Sequence, residues 1–144
     1  MKINDIIKRK YLLSISLILL SIFLSQPTVA QAATAVTNAQ ELQNIQNNLA
    51  DDYYLANDIN CSGIANFEPI GTAATPFTGT LNGNNYSISA LTIDRSAENN
   101  VGLFGCVRGA TIQNVSLLAI DITGNNTVGG LVGDSSQNSS VINS

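Results

Sequence analysis

The chain has 144 residues, with six Lys and Arg against ten Asp and Glu, and it contains no His. Without His, Cys/His catalysis and His-ligated metal sites are excluded, and no cofactor is expected. The acidic balance repels phosphate backbones, which makes nucleic acid a poor candidate partner.

Lys2, Lys8, Arg9 and Lys10 form a basic leader, and the stretch from Tyr11 to Leu24 is mostly Leu and Ile. Pro27 then precedes Ala30-Gln31-Ala32, a small-x-small cleavage signature. That is the plan of a secretory signal peptide over residues 1–32. A membrane anchor would need about 20 apolar residues, so no span is expected after cleavage. The expected location is secreted or cell-surface. Beyond residue 32, Arg95 and Arg108 face nine acidic residues, a net charge of −7.

Residues 33–52 are expected to form a lead-in and a capping helix. Asn38 can cap a helix over residues 38–49, with Glu41 completing a capping box. Leu42, Ile45 and Leu49 then share one face. Such a helix suits the end of a stack of β-rungs, where it covers exposed strand edges.

Residues 53–144 read as the stack itself. Tyr53-Tyr54-Leu55 and Ile59 mark a short strand, and Gly63, Pro69, Gly71, Pro76 and Gly79 break the next segment. Val101-Gly102-Leu103-Phe104-Gly105 recurs as Val128-Gly129-Gly130-Leu131-Val132-Gly133, with Leu103 and Leu131 separated by 28 positions. A period of that size is the signature of stacked repeats. The strand patterns overlay with Ile88 on Ile112 and Val141 on Ile112. Ile88, Leu91, Ile93, Ile112, Val115 and Leu117 then point inward, with Asn114 and Asn143 at a corner where Asn side chains can stack. Ala90 takes that corner in the first of these coils, so an Asn ladder should start at the second. Asn82-Gly83 is a hairpin signal that would suit an antiparallel sandwich, but the repeat favours parallel stacking. The fold class is therefore all-β, a parallel β-helix with a short N-terminal capping helix.

Cys61 and Cys106 remain in a chain bound for an oxidising compartment. A disulfide is the expectation, closing a loop of about 45 residues worth ~3–4 kcal/mol; the alternative is two small buried thiols.

Gly102-Leu103-Phe104-Gly105 and Gly130-Leu131-Val132-Gly133 resemble GLUG motifs, named for Gly-Leu-x-Gly, of bacterial secreted and surface proteins. The flanks Tyr54–Ile59, Pro69-Ile70-Gly71, Pro76–Gly83 and Ile112–Val115 are similar to that family too, so the likeness covers most of residues 40–144. It implies a right-handed β-helix, as in adhesin-like proteins and in non-catalytic repeat regions of large secreted peptidases that cleave immunoglobulin A. It carries over no catalytic residue. Members of the family run through many repeats, whereas this sequence stops at Ser144 inside its second motif-bearing coil. The expectation is a stack incomplete at its C-terminus, or an open end covered by another molecule, self-association included.

Other candidate chemistry is thin. Asp58-Ile59-Asn60-Cys61-Ser62-Gly63 copies half a calcium loop, but the closing Glu is Pro69, so Asp58 and Asn60 should instead satisfy backbone groups at a turn. Asp94 and Asp121 follow equivalent strands, and paired carboxylates can do acid–base work on a glycan, although solvated strand-end acids are commoner. Tyr53, Tyr54, Phe67, Phe77 and Tyr86 offer a sugar platform, with core filling the commoner role. Five Asn-x-Ser/Thr sequons, starting at Asn60, Asn85, Asn114, Asn125 and Asn138, arise easily in so Asn-rich a chain and are expected to be silent. The functional expectation is a non-catalytic secreted or surface solenoid, adhesin-like or a spacer, meeting a host or cell-surface protein or glycan. The alternatives are a pectin-lyase-like enzyme and a truncated repeat region of a larger surface protein or secreted peptidase.

Overall fold

The computed structural model describes residues 32–144, which form a compact unit of their own. The expected signal peptide lies outside the described residues, except for Ala32. Among the described residues no helix is long and apolar enough to cross a membrane.

The chain winds through about three coils of a β-solenoid, every named strand pair being parallel. The first wall stacks β1 (Thr34–Val36), β2 (Asp52–Leu55), β4 (Thr80–Asn82), β8 (Thr111–Gln113) and β12 (Ser140–Ile142). The second stacks β3 (Ile59–Asn60), β5 (Ser87–Ser89) and β9 (Ser116–Leu118). The third pairs β6 (Thr92–Val101) with β10 (Asp121–Val128), and the fourth pairs β7 (Phe104–Arg108) with β11 (Val132–Ser136). Short strands with one side chain in each two or three facing inward are what Ser-Ile-Ser and Thr-Ile-Gln encode.

Helix α1 (Ala39–Asn44) and a 3₁₀ turn (Ile45–Asn47) sit where the sequence places a cap. The Glu41 amide donates to Asn38 Oδ1 at 2.9 Å, as a capping residue requires. The reciprocal half of the box differs: the Glu41 carboxylate accepts from the Thr37 amide, one residue earlier, at 2.7 Å. Leu42 and Ile45 are fully buried, and Leu49 packs against the same core. The strand β1 ahead of the helix extends the first wall, which the period reading did not find in a three-residue stretch.

One register expectation is corrected. Val141 does lie over Ile112, but Ile112 lies over Leu81, and Ile88 sits between Ile59 and Leu117 on another wall. The run from Tyr86 to Ile93 reads as one strand. The backbone turns at Ala90, with φ 52°, and divides it between two walls. The corner opposite Asn114 is therefore near Asn82, and the Asn82-Gly83 hairpin signal is only a corner between walls. The expected inward set holds regardless: Ile88, Leu91, Ile93, Ile112 and Val115 are buried and Leu117 is partly so.

Phe67, Phe77 and Phe104 are among the largest fully buried side chains. Phe77 lies 6.4 Å from Tyr53 and 4.8 Å from Phe104 between ring centroids, so the three rings form a row through the core. These aromatics fill the core, while Tyr86 is exposed.

Candidate functional site

The candidate site is the repeat motif and the walls it joins. Leu103 and Phe104 are fully buried, with Leu131 and Val132 packed above them against the same core. The Leu103 amide donates to Gly130 O at 3.1 Å and the Phe104 amide to Leu131 O at 2.9 Å, so the two motifs lie on one another.

None of Gly102, Gly105, Gly130 and Gly133 has a left-handed φ; the first two and Gly133 serve close backbone contact, while a Cβ on Gly130 would meet only the Ile120 and Leu117 side chains, at 3.0 and 3.6 Å. A Cβ on Gly105 would stand 2.5 Å from Gly71 O and 2.9 Å from Asn100 O. On Gly133 it would meet Asn100 C at 2.5 Å and Val101 N at 2.7 Å, and on Gly102 it would meet Gly129 O at 2.7 Å. Backbone from the neighbouring coil occupies the space that a side chain would fill.

The left-handed corners are taken by other residues, chiefly Asn. Asn114 (φ 56°) and Asn143 (φ 52°) share one corner. Asn114 Nδ2 donates to Asn82 Oδ1 at 3.2 Å, and Asn143 Nδ2 donates to Asn114 Oδ1 at 3.4 Å. The ladder thus begins a coil earlier than the Ala90 placement implies. Ala90 and Ala119 share another corner, and Asn100 and Thr127 a third.

Asn60 does what a turn asks of it, whereas Asp58 bonds across to the next coil instead of to its own turn. Asp58 Oδ1 accepts from the Ser87 amide at 2.8 Å and Ser87 Oγ at 2.9 Å, and these bonds hold its carboxyl below the usual range. Asn60 Oδ1 accepts from the Ser62 amide at 2.9 Å. Among the described residues no group of three His, Cys, Asp or Glu side chains is arranged to hold a metal.

Asp94 and Asp121 are exposed on adjacent strands, but not directly opposite: Asp94 pairs with Thr123 and Asp121 with Thr92. That diagonal separates side chains by roughly 7–8 Å on a sheet. Arg95, the nearest cation in sequence, turns to Glu98, with Nη1 to Oε1 at 3.2 Å.

Cys61 and Cys106 are both buried and carry free thiols in the structure. Cys61 belongs to the hydrophobic core, whereas Cys106 lies outside that cluster. Cys106 lines a recess of about 220 Å³ with Glu68, Pro69, Gly71, Glu98 and Asn100. Cys61 follows β3 on the second wall, and Cys106 lies within β7 on the fourth. Burial pushes the Cys61 thiol up to about 11. Burial, then the Asp134 charge, raises Cys106 as well, against weaker help from Asn100 and Arg108. Neither is a thiolate nucleophile at neutral pH.

Sequence reasoning missed the Glu68 bridge. The Gln43 side chain donates to Glu68 O at 2.9 Å and accepts from the Glu68 amide at 2.8 Å. This double bond pattern ties the cap to the first coil, and a single Gln on the buried helix face was its only signal.

A family model described as the M26 IgA1-specific metallo-endopeptidase N-terminal region matches residues 20–144. Halomucin of Haloquadratum walsbyi is 42% identical over 119 residues, covering 74% of this chain and 1% of that protein. A protein of Evansella cellulosilytica carrying the name "Gly-rich membrane protein" is 35% identical over 96 residues, 61% of this chain and 11% of its own length. The chain thus spans about a hundredth and about a ninth of the curated relatives it matches. No solved structure gives a match.

Proposed function

Because the chain belongs to the family of M26 IgA1-specific metallo-endopeptidase N-terminal regions, we propose that it is a non-catalytic, secreted or cell-surface solenoid of the Gly-Leu-x-Gly repeat type. Its work is to hold a binding surface, or simply distance, outside the cell. The observation that carries this reading is the use made of the repeat motif. Gly102, Gly105 and Gly133 meet backbone of a neighbouring coil, and Leu103 and Phe104 are core, so the repeated residues are spent on stacking. The names of these relatives, halomucin and a Gly-rich membrane protein, fit a surface setting. Its partner on this reading is a cell-surface protein or glycan recognised by the polar outer walls.

The glycan-lyase alternative rests on Asp94 and Asp121 alone, with Arg95 drawn away to Glu98. Incubation with a panel of acidic polysaccharides separates the readings: no turnover is expected, while retention on immobilised surface glycan or protein supports the module. Turnover abolished by Asp94→Ala or Asp121→Ala would overturn it.

A further inference from the structure

The outer face of the first wall differs from those of the other three. Tyr53, Leu55, Leu81 and Ile112 point into the core, so the residues that alternate with them point out. Parallel register stacks the outward residues in two straight ranks. Asp52, Thr80 and Thr111 form one, and Tyr54, Asn82 and Gln113 form the other. Each step is about 4.8 Å, so a rank spans roughly 9.6 Å. Because β2 lies between β1 and β4, and β8 between β4 and β12, all of these residues stand in the interior of the sheet.

Much of their hydrogen-bonding capacity is unspent. The Tyr54 and Thr111 hydroxyls and the Gln113 carboxamide bond to nothing among the described residues. Asn82 Oδ1 accepts from the Asn84 amide at 3.0 Å and from Asn114 Nδ2 at 3.2 Å, which fixes its carboxamide before a ligand arrives. The one charge, Asp52, accepts from Thr80 Oγ1 at 2.7 Å. Elsewhere the polar groups are engaged or charged. On the second wall Ser87 Oγ donates to Asp58, Ser89 Oγ donates to Ile59 O, and Leu118 is exposed. The third carries Asp94, Arg95, Glu98 and Asp121, and the fourth carries Arg108 and Asp134.

We propose that the first wall binds a neutral polysaccharide, an uncharged pyranose chain lying across Tyr54, Asn82 and Gln113. The inference deepens the surface-module reading above and rests on it. Hydroxyls and carboxamides both donate and accept, as sugar hydroxyls do, and the Tyr54 ring offers an apolar face to pyranose C–H groups. Paired strands hold these groups in place, so little freedom is lost on binding. A protein partner would ask for aromatic or Arg anchors in a desolvated pocket, whereas this strip has a single ring and no cation. The net charge of −7 beyond residue 32 opposes uronate or sulfated chains.

Surface plasmon resonance of the secreted chain over immobilised neutral glucan, neutral mannan and acidic polygalacturonate tests this. Retention on a neutral chain is expected, with a dissociation constant of about 1 mM or below. It should change by less than about twofold between 20 and 500 mM NaCl, because the ligand carries no charge to screen. Tyr54→Ala and Gln113→Ala change outward, half-buried side chains, so circular dichroism should stay native while each weakens binding about tenfold or more. Leu118→Gln, on the second wall, should leave binding unchanged. No retention on either neutral chain, or retention indifferent to both first-wall substitutions, would overturn the proposal. Retention on polygalacturonate alone would overturn it while leaving the module reading in place. Cleavage of polygalacturonate would instead overturn the module reading itself.

Discussion

Replacing Gly105 with Ala tests whether the repeat motif is a packing device. The added Cβ would lie 2.5 Å from Gly71 O, 2.9 Å from Asn100 O and 3.2 Å from the Pro69 side chain. Two of those atoms are backbone, held in turn by ladder bonds: the Gly105 amide donates to Ile70 O at 2.8 Å and the Ile70 amide to Leu103 O at 2.9 Å. Relief therefore means moving one coil against the next by about half an ångström or more, at the upper end of the ~1–3 kcal/mol typical of overpacking. A domain of this size has about 5–15 kcal/mol in hand, and about 4–6 °C of melting temperature goes with each kcal/mol. A melting point lower by roughly 10–15 °C is expected in a thermal scan followed by circular dichroism. Gly63→Ala is the matched control, because nothing lies within 4 Å of its Cβ and its φ is ordinary. Removing unfolded-state freedom there should be neutral or stabilise by about 0.4–1 kcal/mol. A Gly105→Ala protein that melts within 2 °C of its parent, by the same ~4–6 °C per kcal/mol scale, would refute the contact explanation.

The remaining expectations concern the corner ladder, acid and the thiols. Asn114→Ala leaves a left-handed φ without the side-chain bonds to Asn82 and Asn143 and should cost about 1–2 kcal/mol in urea unfolding; Asn114→Gly should cost less, because glycine accepts that φ. Asp58 and Glu41 have carboxyls lowered by backbone hydrogen bonds from Ser87 and Thr37, so their contribution is present above the unfolded carboxylate pKa of about 4 and is lost as pH falls through the lower folded value. Urea midpoints should therefore decline below about pH 4.5, and Asp58→Asn should flatten that decline. Both thiols should resist alkylation at pH 7.5 in the folded chain and react after denaturation, as expected for buried groups with raised pKa. An intact mass two hydrogens lower than that of the reduced chain would show a bridge instead.

The sequence carried the architecture because stacking is periodic. The pair of Gly-Leu phrases, Val141 over Ile112 and the inward aliphatic set all follow from residue spacing, and the Asn38 cap from a local rule. Register was harder. Ile88 and Ile112 sit in similar local patterns, yet one belongs to the second wall and the other to the first. What tells them apart is the left-handed Ala90, and alanine gives no hint of that backbone. The cysteines carry no periodic signal of their own: number and compartment argue for pairing, but where each thiol stands follows from register, which sets Cys61 after β3 on the second wall and Cys106 within β7 on the fourth.

The glycines and asparagines divide the labour of the coil in a way composition alone hides. Both residue types suit turns, so a Gly-rich motif beside Asn-rich flanks reads as corner chemistry throughout. In the structure the motif glycines keep ordinary φ values, and Gly102, Gly105 and Gly133 give up side chains to let coils approach, while Asn114, Asn143 and Asn100 bear positive φ. Asn is the better corner residue wherever coils stack, since its amide can both donate to the coil on one side and accept from the coil on the other, as Asn114 does. A glycine there would relax the backbone and break the ladder. A side chain at Gly105 would do the opposite, leaving the corners intact and prising the walls apart. The repeat therefore encodes two separable requirements, and mutations at each should raise the free energy of the coil by different routes that add, because Gly105 meets Gly71, Asn100 and Pro69 while Asn114 bonds to Asn82 and Asn143.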